Sequence, residues 1–423
     1  MKILKVTGGS TLNGEISVQG SKNAVLPILA AALLTEEKVR IYHCPRISDV
    51  RDMIRILEHV GCRVSWQEDV LELEAGHIND RTVPEALTRN LRASILMLGA
   101  LTGRKNAARI AYPGGCKIGK RPIDLHLDAL RQLGVEILEE DGLIQTKGRP
   151  SAGHINLKFP SVGATENILL SVAALDRITV HISGAAREPE IVALCEFLSF
   201  MGAEINGAGS RELEIKGCKT LHGADYTIPG DRIVAGTYAL AAIATQGKVN
   251  IRGLNAPDLA GQYPVIAKTG AKMYFKRNIW HIESAGRPHC AGLINTGPFP
   301  AFPTDMQSPL LSAMLRSDGC TSIIDTIYPD RFGIVNELKK MGALIEKEGS
   351  TVSICGTHRL RAARLEAGEL RGAASLVIAG LQAEGETYIS GVNYIERGYE
   401  DICRNLQSIG ADIEIEETSE PLV

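Results

Sequence analysis

The chain has 423 residues, more than one hydrophobic core ordinarily holds, so two domains are expected. Its 46 Lys and Arg against 49 Asp and Glu leave a net charge of -3, and aromatics are 4% of residues, which speaks against nucleic-acid binding by bulk charge or base stacking. Nine cysteines with no CxxC spacing, and ten histidines with no HxxxH pair, speak against a zinc site and against a disulfide framework, so neither metal nor cofactor is expected.

In chain order, the opening "MKILKVTGGSTLNGEISVQG" is polar and glycine-rich where a signal peptide would be apolar. The longest apolar run, Ala24 to Leu34, has eleven residues and contains Pro27, against the roughly 20 needed to cross a bilayer. A cytoplasmic protein without membrane or nucleic-acid partners is the expectation, with a monomer as its expected state. From there one phrase, an apolar helix ending in Gly and followed by a short alternating strand, recurs six times: "HVGCRV", "QLGVEI", "FMGAEI", "KTGAKM", "KMGALI" and "SIGADI". Its glycines, Gly61, Gly134, Gly202, Gly270, Gly342 and Gly410, are 73, 68, 68, 72 and 68 residues apart. Each fits a helix C-terminus, where a residue without Cβ turns the chain in a left-handed conformation. Six units of about 70 residues divide into two three-repeat domains, residues 21–229 and residues 1–20 with 230–423, crossing near Pro229 and Gly230. A cleft between domains is the usual place for a ligand.

The stretch "AYPGGCKIGKRPIDLHL" begins at Ala111 and holds GxxxxGK from Gly114 to Lys120, between an apolar strand and a helix. That context suits a P-loop, but Arg121 stands where a magnesium-binding hydroxyl belongs, and Pro122 lacks a backbone donor. A flexible anion loop remains, with Lys117, Lys120 and Arg121 supplying charge for phosphate or carboxylate. Cys116 lies among those cations and reads either as a thiol of lowered pKa, nucleophile or proton donor, or as a small buried apolar residue. Cys62, Cys195 and Cys403, on apolar patterns, read as buried. "SVGATEN", from Ser161, reads as a helix start whose free amides favour a diphosphate, and Asp305 after Pro303 and Thr304 reads equally as a helix N-cap.

The motifs "GSKNAVLPILAAALL", "LRASILMLGAL", "GGCKIGKRPIDLHL", "SVGATENILLSVAAL", "AAREPEI", "GPFPAFPTDMQ", "DRFGIVNELKKMGA" and "YIERGYEDI" resemble, in order, the bacterial UDP-N-acetylglucosamine 1-carboxyvinyltransferases. The resemblance implies an α/β fold, a two-domain inside-out α/β barrel with three similar β/α units in each domain. It implies transfer of the enolpyruvyl group of phosphoenolpyruvate to the 3′-hydroxyl of UDP-N-acetylglucosamine, with release of phosphate, as the first committed step of peptidoglycan synthesis. It also implies that fosfomycin alkylates the thiol. By the same resemblance the catalytic residues are Cys116, Asp305, Lys22 and Arg397, with Cys116 as acid at the methylene carbon and Asp305 as base for the sugar hydroxyl. Phosphoenolpyruvate falls to Lys22, Arg92, Arg121, Arg371 and Arg397. The sugar nucleotide falls to Asn23, Arg92, Arg121, Pro122, Ile123, Asp124, Leu125, Ser161, Val162, Gly163, Asp305 and Ile327.

The chain departs from the family pattern in having Arg371-Gly372-Ala373 for R-A-S, Glu369 for Asp, Val234 for Glu and Pro329-Asp330-Arg331 for E-N-R, and in lacking a lysine near Ser48. Two alternatives accompany the leading reading: a sugar-nucleotide-binding paralogue of low activity and regulatory role, and an enolpyruvyl transferase acting on shikimate 3-phosphate.

Overall fold

A computed structural model describes residues 2–115, 122–328 and 330–417. They form two compact units, a first of residues 20–115 with 122–229 and a second of residues 2–19 with 230–417. Each unit contains three four-stranded sheets around three buried helices.

Every sheet has the same plan. In one, Val39–Tyr42 runs parallel to Asp225–Thr227 and antiparallel to Val70–Glu74, which continues as a hairpin to Arg63–Gln67. The alternation of buried and exposed residues along Val39–Tyr42 turns one face of the sheet to the core. In the second unit the sixth sheet is completed by the chain's beginning: Lys2–Thr7 lies between Glu386–Ser390 and Asp412–Glu417, with Leu4 opposite both Ile389 and Ile415.

The inner helices of the first unit are Lys22–Ala31, Leu96–Lys105 and Val162–Val172, and those of the second are Arg232–Ala244, Gln307–Ala313 and Leu370–Gln382. Sequences such as "RIVAGTYALAAIA" are apolar or small all round, as a helix enclosed by sheets requires, and all thirteen of those residues are buried. Close packing depends on small residues: a Cβ on Gly99 would lie 2.5 Å from the backbone oxygen of Asn167 in the neighbouring helix. The two-domain α/β architecture with six repeats follows the sequence expectation. All six repeat glycines have positive φ, from 80° at Gly134 to 112° at Gly202. Each amide donates to the carbonyl three residues back, as from Gly61 to Glu58 at 3.0 Å.

The cysteines require a correction. Cys62, Cys195 and Cys403 are buried, and burial pushes each thiol up to about 12. Cys320 and Cys355, however, are bonded to each other. They lie directly opposite in the antiparallel pair Cys320–Ile324 and Thr351–Cys355, with Cα atoms 4.0 Å apart. Counting parity and looking for CxxC detects frameworks and metal sites, but not a single pair created by strand register 35 residues apart.

Candidate active site

In each unit, most of the polar residues of interest stand where an inner helix begins. A helix start exposes unpaired amides and the positive end of the helix dipole, so side chains placed there share a field that favours anions.

In the first unit, the Ser21 hydroxyl accepts from the Ala24 amide at 3.3 Å and opens the helix Lys22–Ala31. Lys22, at the first helical position, places Nζ 2.7 Å from Oδ2 of the buried Asp49. Asn23 donates through Nδ2 to Oε1 of Glu190 at 3.5 Å. Arg92 opens the 3-10 turn Arg92–Ile95 ahead of the second inner helix, and its Nη2 donates to the Pro122 carbonyl at 3.2 Å. Ile123 is buried, and Asp124 and Leu125 form the start of the helix Asp124–Gln132. Ser161 caps Val162–Val172 by accepting from the Ala164 amide, so "SVGATEN" is the helix start its sequence suggests. Gly163 packs on His126: a Cβ there would lie 2.7 Å from Cε1 of the ring. Asn167 then binds three partners, donating from Nδ2 to Nδ1 of His126 at 2.7 Å and to the Ile95 carbonyl, and accepting at Oδ1 from the Gly99 amide. Cys116 and Arg121 lie outside the described residues.

In the second unit, Asp231 caps Arg232–Ala244 by accepting from the amides of Ile233 and Val234, so Val234 is a buried helix residue following a carboxylate cap. Asp305 lies in the 3-10 turn Thr304–Met306, and it does not cap that turn. Its carboxylate instead lies between two guanidiniums, accepting from Nη1 of Arg331 at 2.7 Å and from Nη2 of Arg371 at 3.0 Å and Nε at 3.2 Å. The N-cap alternative is corrected: buried cations outcompete neutral amides for a carboxylate. Burial alone would raise the Asp305 carboxyl, but the charges and hydrogen bonds of Arg331 and Arg371 outweigh it and hold Asp305 far below the usual carboxylate range. Both guanidiniums are buried and held firmly protonated by the same carboxylate despite the opposing effect of burial.

Nη1 of Arg371 and Nε of Arg331 are buried without a hydrogen-bond partner among the described residues. Buried donors of this kind are the places an anion can fill. Ile327 donates its amide to Oδ1 of the buried Asp325, which also takes the Tyr328 amide. Arg397 is half-buried in the turn after Val392–Ile395.

Of the residues expected from sequence, the structure brings Asp305 and Arg371 into direct contact and sets Lys22, Asn23, Arg92 and Ser161 at inner-helix starts. Arg331, Glu369, Asp49, Glu190, His126 and Asn167 were not expected as site residues; the first five each contact one that was, and Asn167 contacts His126. Arg331 lies in a motif that the resemblance uses, "DRFGIVNEL", and the physical signal there is an arginine in an apolar stretch, which has to find an anion if it is buried.

The EPSP synthase (3-phosphoshikimate 1-carboxyvinyltransferase) family matches residues 6–406. The UDP-N-acetylglucosamine 1-carboxyvinyltransferase 2 of Caldanaerobacter subterraneus subsp. tengcongensis is 45% identical over 97% of this chain and 98% of its own length. The UDP-N-acetylglucosamine 1-carboxyvinyltransferase of Thermotoga maritima is 41% identical over the same shares. Among solved structures, the enolpyruvyl transferase NikO of Streptomyces tendae superposes with a TM-score of 0.88 over 98% of both chains, at 23% identity, a likeness of fold. The chain therefore belongs to the EPSP synthase family of carboxyvinyltransferases, and within it to the group named UDP-N-acetylglucosamine 1-carboxyvinyltransferase. Among the described residues no helix is long and apolar enough to cross a membrane.

Proposed function

We infer that the chain is an enolpyruvyl transferase that joins phosphoenolpyruvate to the 3′-hydroxyl of UDP-N-acetylglucosamine and releases phosphate. The observation that carries this is full-length identity of 45% and 41% with relatives bearing that name, together with a carboxylate held between two buried arginines. Entry into peptidoglycan synthesis, a cytoplasmic location and action as a monomer belong to the same reading.

The chemistry needs one group to take the hydroxyl proton and another to give a proton to the methylene carbon. Asp305 takes the proton as the sugar oxygen bonds to the central carbon, and the Cys116 thiol supplies the other proton. A tetrahedral ketal results. Loss of a methyl proton and cleavage of the carbon–oxygen bond to phosphate then restore the double bond. Lys22, Arg92, Arg121, Arg371 and Arg397 gather the phosphate and carboxylate of phosphoenolpyruvate, and the first four are drawn from inner-helix starts and the Cys116 loop. Asn23, the stretch from Arg121 to Leu125, Ser161, Val162, Gly163 and Ile327 hold the sugar nucleotide.

The position of Asp305 adds a condition. With both guanidiniums on it the carboxylate is ionised but weakly basic. A substrate anion that draws Arg371 onto itself removes one of those cations, so the base strengthens as phosphoenolpyruvate binds.

Purified protein given both substrates should release phosphate. Cys116→Ala should abolish release and Cys116→Asp should keep much of it, while a fosfomycin adduct mapped by mass spectrometry should fall on Cys116. Release with shikimate 3-phosphate in place of the sugar nucleotide, or sugar-nucleotide binding without any release, would overturn this reading.

A further inference from the structure

We propose that Glu369 is a positioning residue for the Asp305–Arg331–Arg371 cluster and that it can serve as one only because residue 372 is glycine. The proposal rests on the activity inferred above for one of its two readouts.

Glu369 is the N-cap of the inner helix Leu370–Gln382 and is buried. Glutamate is an uncommon cap, since its extra methylene carries the carboxylate past the amides that a shorter side chain meets directly. Here the side chain folds back over the first turn. Oε2 accepts from the Arg371 amide at 2.9 Å and Oε1 accepts from the Gly372 amide. Oε2 also lies 3.8 Å from Nη2 of Arg331. One carboxylate thus fixes the backbone from which Arg371 projects and supplies a second anion to Arg331. The cluster is two buried cations matched by two carboxylates, Asp305 and Glu369.

The folded-back carboxylate occupies the space over residue 372. A Cβ there would stand 2.9 Å from Oε1 of Glu369 and 2.7 Å from Cγ2 of Ile334. Both obstacles are ends of side chains: the Ile334 methyl can turn aside without losing a polar partner, whereas an alanine that displaces the carboxylate takes it from the cap and from Arg331. An aspartate, shorter by one methylene, caps from below that space. The glutamate at 369 and the glycine at 372, two of the departures noted in the sequence, are thus one linked change.

A double-mutant cycle over Gly372→Ala and Glu369→Asp tests this, read by steady-state phosphate release and by thermal unfolding. In the wild-type background Gly372→Ala should lower kcat/KM for phosphoenolpyruvate about tenfold, with the KM for UDP-N-acetylglucosamine moving less than about threefold. In the Glu369→Asp background the same alanine should cost less than about twofold. Thermal unfolding supplies the second readout. Alanine in a helix normally raises stability over glycine, and it should do so only beside the aspartate, while lowering the melting temperature beside the native Glu369. Equal cost in both backgrounds, or no cost in either readout, overturns the proposal. If Gly372→Ala does not fold, Glu369→Gln, which keeps the shape and removes the charge facing Arg331, should show the same selective loss for phosphoenolpyruvate, and full activity overturns the proposal. Wild-type protein that releases no phosphate would sink the functional reading instead, and the coupling would still be decided by the melting temperatures.

Discussion

The two units repeat one architecture and fill it with different chemistry. In the first, the helix starts rest on neutral ties, the Ser161 hydroxyl cap and the Asn167 amide bridging His126, Gly99 and Ile95, and the titratable groups beside them are the Lys22–Asp49 pair and the buried carboxyls Glu166, Glu188 and Glu190. In the second, Arg331, Arg371, Asp305 and Glu369 make a buried cluster of full charges. The repeat thus fixes where side chains stand, at helix starts where the dipole favours anions, and leaves open what they are. A neutral amide network is inexpensive to bury once its bonds are made, whereas a charged cluster holds only while its cations and anions match.

The contrast can be broken by removing one member on each side. Asp305→Ala leaves two buried guanidiniums without their shared carboxylate and should destabilise the protein by about 3 kcal/mol. It should also lower phosphate release by about a thousandfold, since the base and its placement go together. Asp305→Asn should restore much of the stability and little of the activity. The pH dependence has a defined sign. The folded carboxyl is held below its ordinary value, so its stabilisation is complete above about pH 4 and is lost as pH falls further. The advantage of wild type over Asp305→Asn in urea unfolding should therefore shrink from pH 7 toward pH 3.

In the first unit, Asn167→Ala strands the Gly99 amide and should cost about 2 kcal/mol with a much smaller loss of turnover. A turnover loss as large as that of Asp305→Ala would erase the distinction. Glu166 sharpens it further. Burial, with added repulsion from Glu190 and Glu188, pushes this carboxyl up to about 8. A raised carboxyl favours folding at low pH, and that contribution disappears as pH climbs through its folded value. Glu166→Gln should therefore gain on wild type between pH 5 and pH 9, by up to about 4 kcal/mol in chemical unfolding. Ser161→Ala should have the smallest effect, about 1 kcal/mol from loss of the cap and a raised KM for the sugar nucleotide.

The fold was legible in the sequence to an unusual degree because its signals are local and repeated. A glycine after an amphipathic helix, six times at nearly constant spacing, is a turn requirement that no neighbour can alter. The inner-helix residues were legible where a motif or a cap marked them, as at Ser161. The partners of those residues were not. Arg331 stands 26 residues from Asp305, and Cys355 stands 35 from Cys320, so only sheet register and helix packing bring them together. Asp305 shows the limit most clearly, since a carboxylate after Pro-Thr satisfies local capping rules, and a pair of distant arginines decides otherwise.

The strand Lys2–Thr7 lies inside the sixth sheet, between Glu386–Ser390 and Asp412–Glu417. During synthesis, then, this strand emerges long before either partner and has no place to pair until residues 386–417 have followed. The first unit, whose sheets use only residues 39–227, has every strand in hand once residue 227 has emerged. The two halves of one repeated fold therefore meet the cell on different schedules, and an exposed "KILKVT" strand waiting for its partners is the segment a nascent-chain chaperone would have reason to cover.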